Sequence, residues 1–228
     1  MDGVSNGVEV GEFQVIVLGL EPYGVTLRRQ EALVEQRLQG SVPDTLILVE
    51  HPPVVTLGRA KSLANLRQSP EALASKGVEF FEVSRGGDVT YHAPGQLVGY
   101  PIFDLRGHGQ DVLRFCRGIE AALIGTLGEF GITGQAVSGK AGVWVGDRKI
   151  ASLGISLRRW ITFHGFALNV STDLSGFRVI RPCGESPEVM TSMEALLGRP
   201  VPMDGVRDRV RARLAGVFEL TEVCSAST

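Results

Sequence analysis

Lysine is scarce in this chain. Lys61, Lys76, Lys140 and Lys149 are the only four; every other basic residue is arginine. A lysine entering an apolar segment is therefore a side chain to explain individually. Cysteine is scarcer still. Cys116, Cys183 and Cys224 cannot all pair, and none stands at the close spacing of a zinc site or a redox CxxC. Neither sign of charge is in large excess: 23 Lys+Arg against 25 Asp+Glu leave a formal charge of −2. No global field draws the chain to nucleic acid or to an anionic membrane. The opening MDGVSNGVEVGEF lacks a basic n-region and a long apolar stretch. No signal peptide, transit peptide or transmembrane helix is expected, and the reading is a cytoplasmic protein with free thiols and no metal.

What is present is ordinary for a globular protein. The chain has 228 residues, 43% of them hydrophobic and 21% charged, enough for a sizeable core. Gln14 to Leu18, Leu46 to Val49, Val54 to Leu57, Val78 to Val83, Leu97 to Phe103 and Phe163 to Val170 read as strands. Val143 to Ile150 reads as a hairpin turning at Gly146-Asp147. Helices are expected over Arg28 to Leu38, from Ser69-Pro70-Glu71 to a stop at Gly77, and from Asp111 to Phe130. In the last of these Val112, Cys116, Ile119, Leu123 and Leu127 fall on one stripe. Thr191-Ser192-Met193-Glu194 fits a capping box, and a final helix from Asp204 should turn Val206, Val210, Leu214 and Val217 inward. There is no regular βαβ alternation, no repeat and no clear linker. One α+β domain over residues 1–228, with helices packed on a mixed or antiparallel sheet, is predicted.

The most unusual stretch is Ser84 to Leu105, SRGGDVTYHAPGQLVGYPIFDL, a glycine-rich loop with an ordered series of polar groups ahead of an apolar strand. Among the cysteines, Cys116 lies on the apolar helix stripe and reads as core, and Cys224 lies in a polar tail. Cys183 differs, because Pro182 and Gly184 place it in a defined bend that can present a side chain. A glycine after it would let a substrate approach backbone N–H groups that serve as an oxyanion hole. A nucleophilic cysteine acts as thiolate and needs a base or a cation nearby. His51 and His108 stand in contexts that suggest no fixed orientation. His92 and His164 stand beside glycine-rich segments and can serve as structural, hydrogen-bonded histidines. Lys149 enters the small, apolar segment Ile150-Ala151-Ser152-Leu153-Gly154. Desolvation there would lower its pKa and suit a base.

Five ordered blocks together resemble the lipoyl (octanoyl) transferase family, the protein N-octanoyltransferases of lipoate assembly. They are Glu50 to Arg59 (EHPPVVTLGR), Arg85 to Gln96 (RGGDVTYHAPGQ), Gly142 to Val145 with Lys149 to Gly154 (KIASLG), His164 to Val170 (HGFALNV), and Pro182-Cys183-Gly184. The resemblance spreads from about Tyr23 to Leu197. It implies a fold like the catalytic domains of lipoate–protein ligases and biotin ligases. It also implies a reaction without ATP or another cofactor: octanoyl passes from acyl carrier protein to Cys183, then to a lysine of a lipoyl domain or of the glycine-cleavage H protein. Lys149 would be the partner of Cys183. Arg85, Gly86, Gly87, Asp88, Val89, Thr90, Tyr91 and His92, with Ser152, Leu153 and Gly154 and with Gly165, Phe166 and Ala167, would line the acyl and pantetheine site. An ATP-dependent ligase has no need of a cysteine in such a bend, and a mere acyl-binding module has no need of Lys149 beside it. Glu185, two residues past Cys183, would oppose a thiolate if it faced inward. Arg158, Arg159, Arg178 and Arg181 are the arginines expected to dock an acidic carrier.

Overall fold

The computed structural model describes residues 11–60 and 62–223, without the side chain of Cys183. Lys61, Cys224 and residues 1–10 of the N-terminal segment read above lie outside the described residues.

The chain opens with strand β1 (Gly11–Leu20), helix α1 (Tyr23–Leu38), and strands β2 (Asp44–Glu50) and β3 (Val54–Leu57). Helix α2 (Pro70–Ala74), strands β4 (Glu79–Glu82), β5 (Val89–His92) and β6 (Gln96–Ile102), and helix α3 (Val112–Glu129) follow. Then come β7 (Gln135–Val137), β8 (Lys140–Val145), β9 (Arg148–Arg158) and β10 (Ile161–Asn169). The chain closes with α4 (Met193–Leu197), α5 (Met203–Val217) and β11 (Leu220–Glu222).

Eight strands form one mixed sheet in the order β11-β1-β2-β6-β10-β9-β8-β7. β1 runs parallel to both of its neighbours, and the other pairings are antiparallel. Strands β4, β3 and β5 form a second, smaller sheet. Alternation along β2 explains the layering. Leu46 and Leu48 join the core that holds α3 and α5, and Ile47 and Val49 join the core under α1. A third core, with Val55, Leu57, Val89, Tyr91 and Phe177, lies against the small sheet. No described helix is long and apolar enough to cross a membrane.

Local chemistry sets most boundaries. Ser69 Oγ accepts from Ala72 N at 3.3 Å and Asp111 Oδ1 from Arg114 N at 2.9 Å, which start α2 and α3. Four expectations change. α1 starts at Tyr23, one turn before Arg28, straight after Pro22. Ser192, not Thr191, caps α4, and Glu194 accepts from Val201 N instead of closing a capping box. Val217 is 41% exposed, since it ends α5 where the helix leaves the core. Val89–His92 is a strand, so the glycine-rich loop is shorter than its sequence suggests.

Candidate active site

The two sheets meet around one cavity, lined by β5, by the middles of β6, β9 and β10, and by Tyr23 at the start of α1. The cavity gathers Arg85, Gly87, Asp88, Val89, Thr90, His92, Lys149, Ser152, Leu153, Gly154, Gly165, Phe166 and Ala167. Two expected residues are not in this wall. Gly86 sits on the outer side of the loop, where its N–H donates to Ile155 O at 3.0 Å. Tyr91 alternates to the opposite face of β5 from Thr90 and packs edge-on against Phe177, ring centroids 5.4 Å apart. Tyr23, Val98, Tyr100, His164 and Pro182 also line the cavity. The blocks of residues read from the sequence do not contain Tyr23, Val98 or Tyr100, which arrive from α1 and β6 only through tertiary packing.

Lys149 is 5% exposed, and β9 sets its position. Its Cα pairs with Trp144 on β8, and its Nζ stands 5.6 Å from the centre of the Trp144 ring. Gly142 makes room for its stem. That residue has φ +113°, and a Cβ there would fall 2.2 Å from Ala151 O and 3.0 Å from Lys149 Cε. Glu120 of α3 fixes this turn of chain by accepting from Gly142 N at 2.8 Å.

The Cys183 backbone lies in a 3₁₀ turn, Pro182–Gly184. Pro182 is buried and lines the same cavity as Lys149. The expectation of an oxyanion hole from the amides after the cysteine does not hold in this conformation. Gly184 N donates to Arg181 O at 3.1 Å and Glu185 N to Pro182 O at 3.0 Å, because a 3₁₀ turn spends those donors on itself. Glu185 forms an ion pair with Lys140 at 2.9 Å. Arg181 N donates to Asn65 O at 2.8 Å, and Asn65 Nδ2 donates to Asp88. Asp88 also accepts from Ser62 N at 3.1 Å. Asn65 thus ties the glycine-rich loop to the segment that carries Cys183.

Buried polar groups in the wall are arranged in chains. Arg85 is 8% exposed; its Nε donates to Thr56 Oγ1 at 3.1 Å and its Nη2 to Thr56 O at 2.7 Å. His92 Nδ1 lies 2.7 Å from Gln96 Oε1. Gln96 Nε2 already donates to Asn169 Oδ1 at 2.9 Å, so Nδ1 carries the proton and Nε2 is left as an acceptor. The chain continues from Asn169 Nδ2 to Thr191 O, and Thr191 N donates to Lys149 O, both at 2.9 Å. Burial is the main force that lowers the pKa of His92 to about 3; the neighbouring His51, Arg85 and His164 add to it. Burial, then Arg85 and Arg59, lower His164 equally far, to about 3. Neither ring nitrogen of His164 has a hydrogen-bond partner among the described residues. Burial raises Tyr23 to about 12.

His51 and His108 are oriented after all. His51 bonds Glu21 O at 2.7 Å and the Tyr100 hydroxyl at 2.8 Å, and His108 meets Asp44 Oδ2 at 2.7 Å. These partners lie far away in sequence, which hid them. Cys116 is half-buried, and burial raises its thiol to about 11, with Glu120 adding to the effect. Of the four docking arginines, Arg158 pairs with Glu35 at 2.5 Å. It ends β9, nine residues beyond Lys149, or ~30 Å of extended strand. Arg159 follows it, while Arg178 and Arg181 flank the Cys183 segment.

Sheet order and layering give this chain the fold of lipoate–protein and biotin–protein ligase catalytic domains. A bipartite lipoate–protein ligase from Thermoplasma acidophilum superposes with TM-score 0.69 at 16% identity, over 96% of this chain and 88% of that one. A biotin protein ligase from Aquifex aeolicus superposes with TM-score 0.52 at 13% identity, over 92% and 70%. The sequence is more specific. Residues 22–215 match the lipoyl protein ligase A/B catalytic domain. An octanoyltransferase from Solibacter usitatus is 50% identical over 210 residues, 92% of this chain and 94% of that protein. The chain belongs to the lipoyl protein ligase A/B catalytic-domain family, beside its octanoyltransferases.

Proposed function

We propose that this chain transfers an octanoyl group from acyl carrier protein to a lysine of a lipoyl domain or glycine-cleavage H protein, through a thioester on Cys183. The observation that carries the reading is the burial of Lys149 in the same cavity as Pro182, beneath a glycine-rich loop. Lys149 takes the Cys183 thiol proton. The thiolate attacks the octanoyl carbonyl, and the pantetheine thiolate leaves and is reprotonated. The acceptor amine then attacks the new thioester, its proton is removed, an amide forms and Cys183 departs as thiolate. The first step exchanges one thioester for another and the second runs downhill to an amide, so no nucleotide is consumed. Val89, Leu153, Phe166 and Ala167 supply apolar wall to the acyl chain, and His92 Nε2 supplies a neutral acceptor.

Intact-mass spectrometry tests this. The chain is mixed with octanoyl-carrier protein, without ATP and without acceptor. A gain of one octanoyl group, removed by hydroxylamine and absent in Cys183→Ala, is expected. No adduct on the wild type, together with ATP-dependent activation of free octanoate, would instead make the chain a ligase.

A further inference from the structure

A second, larger concavity lies beyond the glycine-rich loop from the acyl cavity, between the N-terminal half of α3 and the β7–β8 hairpin. Its volume is about 560 Å³, within the usual range of sites for small organic ligands. The two spaces share Gly87, Leu153 and Gly154 as a common wall, so they adjoin. Val112, Leu113 and Cys116 give it an apolar side, and Leu113 is 62% exposed. Arg117 stands exposed at its edge with no ion-pair partner among the described residues. Lys140, at the hairpin edge, reaches across to Glu185, so the rim ends beside the Cys183 segment.

Resting on the function proposed above, we infer that this groove holds the pantetheine arm of the acyl donor, with Arg117 meeting its phosphate. A carrier-bound thioester must thread a slender, uncharged, amide-bearing arm from the protein surface to the cysteine. That arm needs a groove of mixed polarity leading to the acyl cavity, with one cation at its outer end. This groove supplies both, with Arg117 exposed on its α3 side, whereas Arg158 ends β9 and pairs with Glu35. The arm carries its own anion, and Arg117 meets it in charge-assisted hydrogen bonds. The acceptor lysine, which brings a positive charge, is the poorer match for the same edge.

Three donors separate the contributions: octanoyl-N-acetylcysteamine, octanoyl-pantetheine and octanoyl-4′-phosphopantetheine. Acyl-enzyme formation is followed for the wild type, for Ala136→Trp, which plugs the groove from exposed strand β7, and for Arg117→Ala. The plug should raise KM about tenfold or more for both pantetheine donors and leave octanoyl-N-acetylcysteamine within about twofold. Arg117→Ala should raise KM about fivefold for the phosphorylated donor alone. Equal losses on all three donors would overturn the inference. So would a plug that slows only transfer from preformed acyl-enzyme to the lipoyl domain, since the groove would then serve the acceptor. So would unchanged kinetics in both variants. A wild type acylated neither by these donors nor by octanoyl-carrier protein would sink the proposed function itself.

Discussion

Lys149 and Pro182, the chain neighbour of Cys183, reach one cavity from two kinds of structure. Lys149 is the second residue of β9, paired with Trp144 of β8 and bridged to Met190, with its stem passing over Gly142. Cys183 rides on a three-residue 3₁₀ turn held by Pro182, by the Asn65–Arg181 hydrogen bond and by the exposed Lys140–Glu185 pair. Lys149 is held at the start of a strand ladder, and the segment that carries Cys183 by a few separable tethers. The proposed two-step acyl transfer suits that division: Lys149 would hold one position while the segment carrying Cys183 meets first a donor and then an acceptor. Substitutions on the two sides should therefore fail differently.

The largest effect is expected at Lys149. Lys149→Met should lower kcat by about 10²–10⁴ while the thermal midpoint stays near that of the wild type. Lys149→Arg should also lose kcat, and an unchanged kcat would make Lys149 a cation only. Next comes acid. His92 and His164 are held neutral, with pKa values of about 3. Between the ordinary histidine value and that one, the unfolded chain binds more protons than the fold. Stability is therefore full above about pH 6.5 and falls with acidification toward about pH 3, by roughly 1.4 kcal/mol per pH unit for each histidine. Urea titrations across that window should show the slope, and His164→Asn should remove one histidine's share. If that variant keeps the full slope, His164 is not held neutral.

On the sheet side, a Cβ at Gly165 would fall 1.9 Å from Gly99 O in the paired strand. Gly165→Ala should cost about 1–3 kcal/mol of stability or more by pushing β10 from β6. Circular-dichroism melts that match the wild type would show that the ladder yields. On the tether side, Asn65→Ala should lower kcat/KM roughly tenfold through a misplaced Cys183 and shift the pH profile of Cys183 alkylation, with a stability loss of about 1–3 kcal/mol at most. Asn65→Asp places a second carboxylate at Asp88 and should be worse. An unmoved alkylation profile in both would reduce Asn65 to a structural link. The smallest effect belongs to Lys140→Ala. The exposed pair with Glu185 is worth less than about 1 kcal/mol, and any change in acylation rate should vanish at high salt.

The sheet side was the legible one. Short apolar strands, the Gly146-Asp147 turn and the stripe on α3 carry local periodicity, and the lysine stood out because lysines are few. The tether side was not. Nothing near Asn65 in the chain points to Arg181 or Asp88, because those contacts close only when segments distant in sequence meet. Tyr23 and Tyr100 joined the wall for the same reason. Tyr91 left it because its ring packs against Phe177 in the third core, a partner distant in sequence.

The glycine-rich segment is sewn to its surroundings by backbone. Gly58, Arg59 and Ala60 donate to Asp88, Arg85 and Gly87, and Gly86 donates to β9. Such a segment opens only when several amides lose their partners together. The amide protons of Gly58, Arg59, Ala60 and Gly86 should then exchange with solvent as slowly as those of the neighbouring strands. A cavity roofed in this way exists before anything enters it, so its occupants arrive end-on along its length, like a thread drawn through an eyelet.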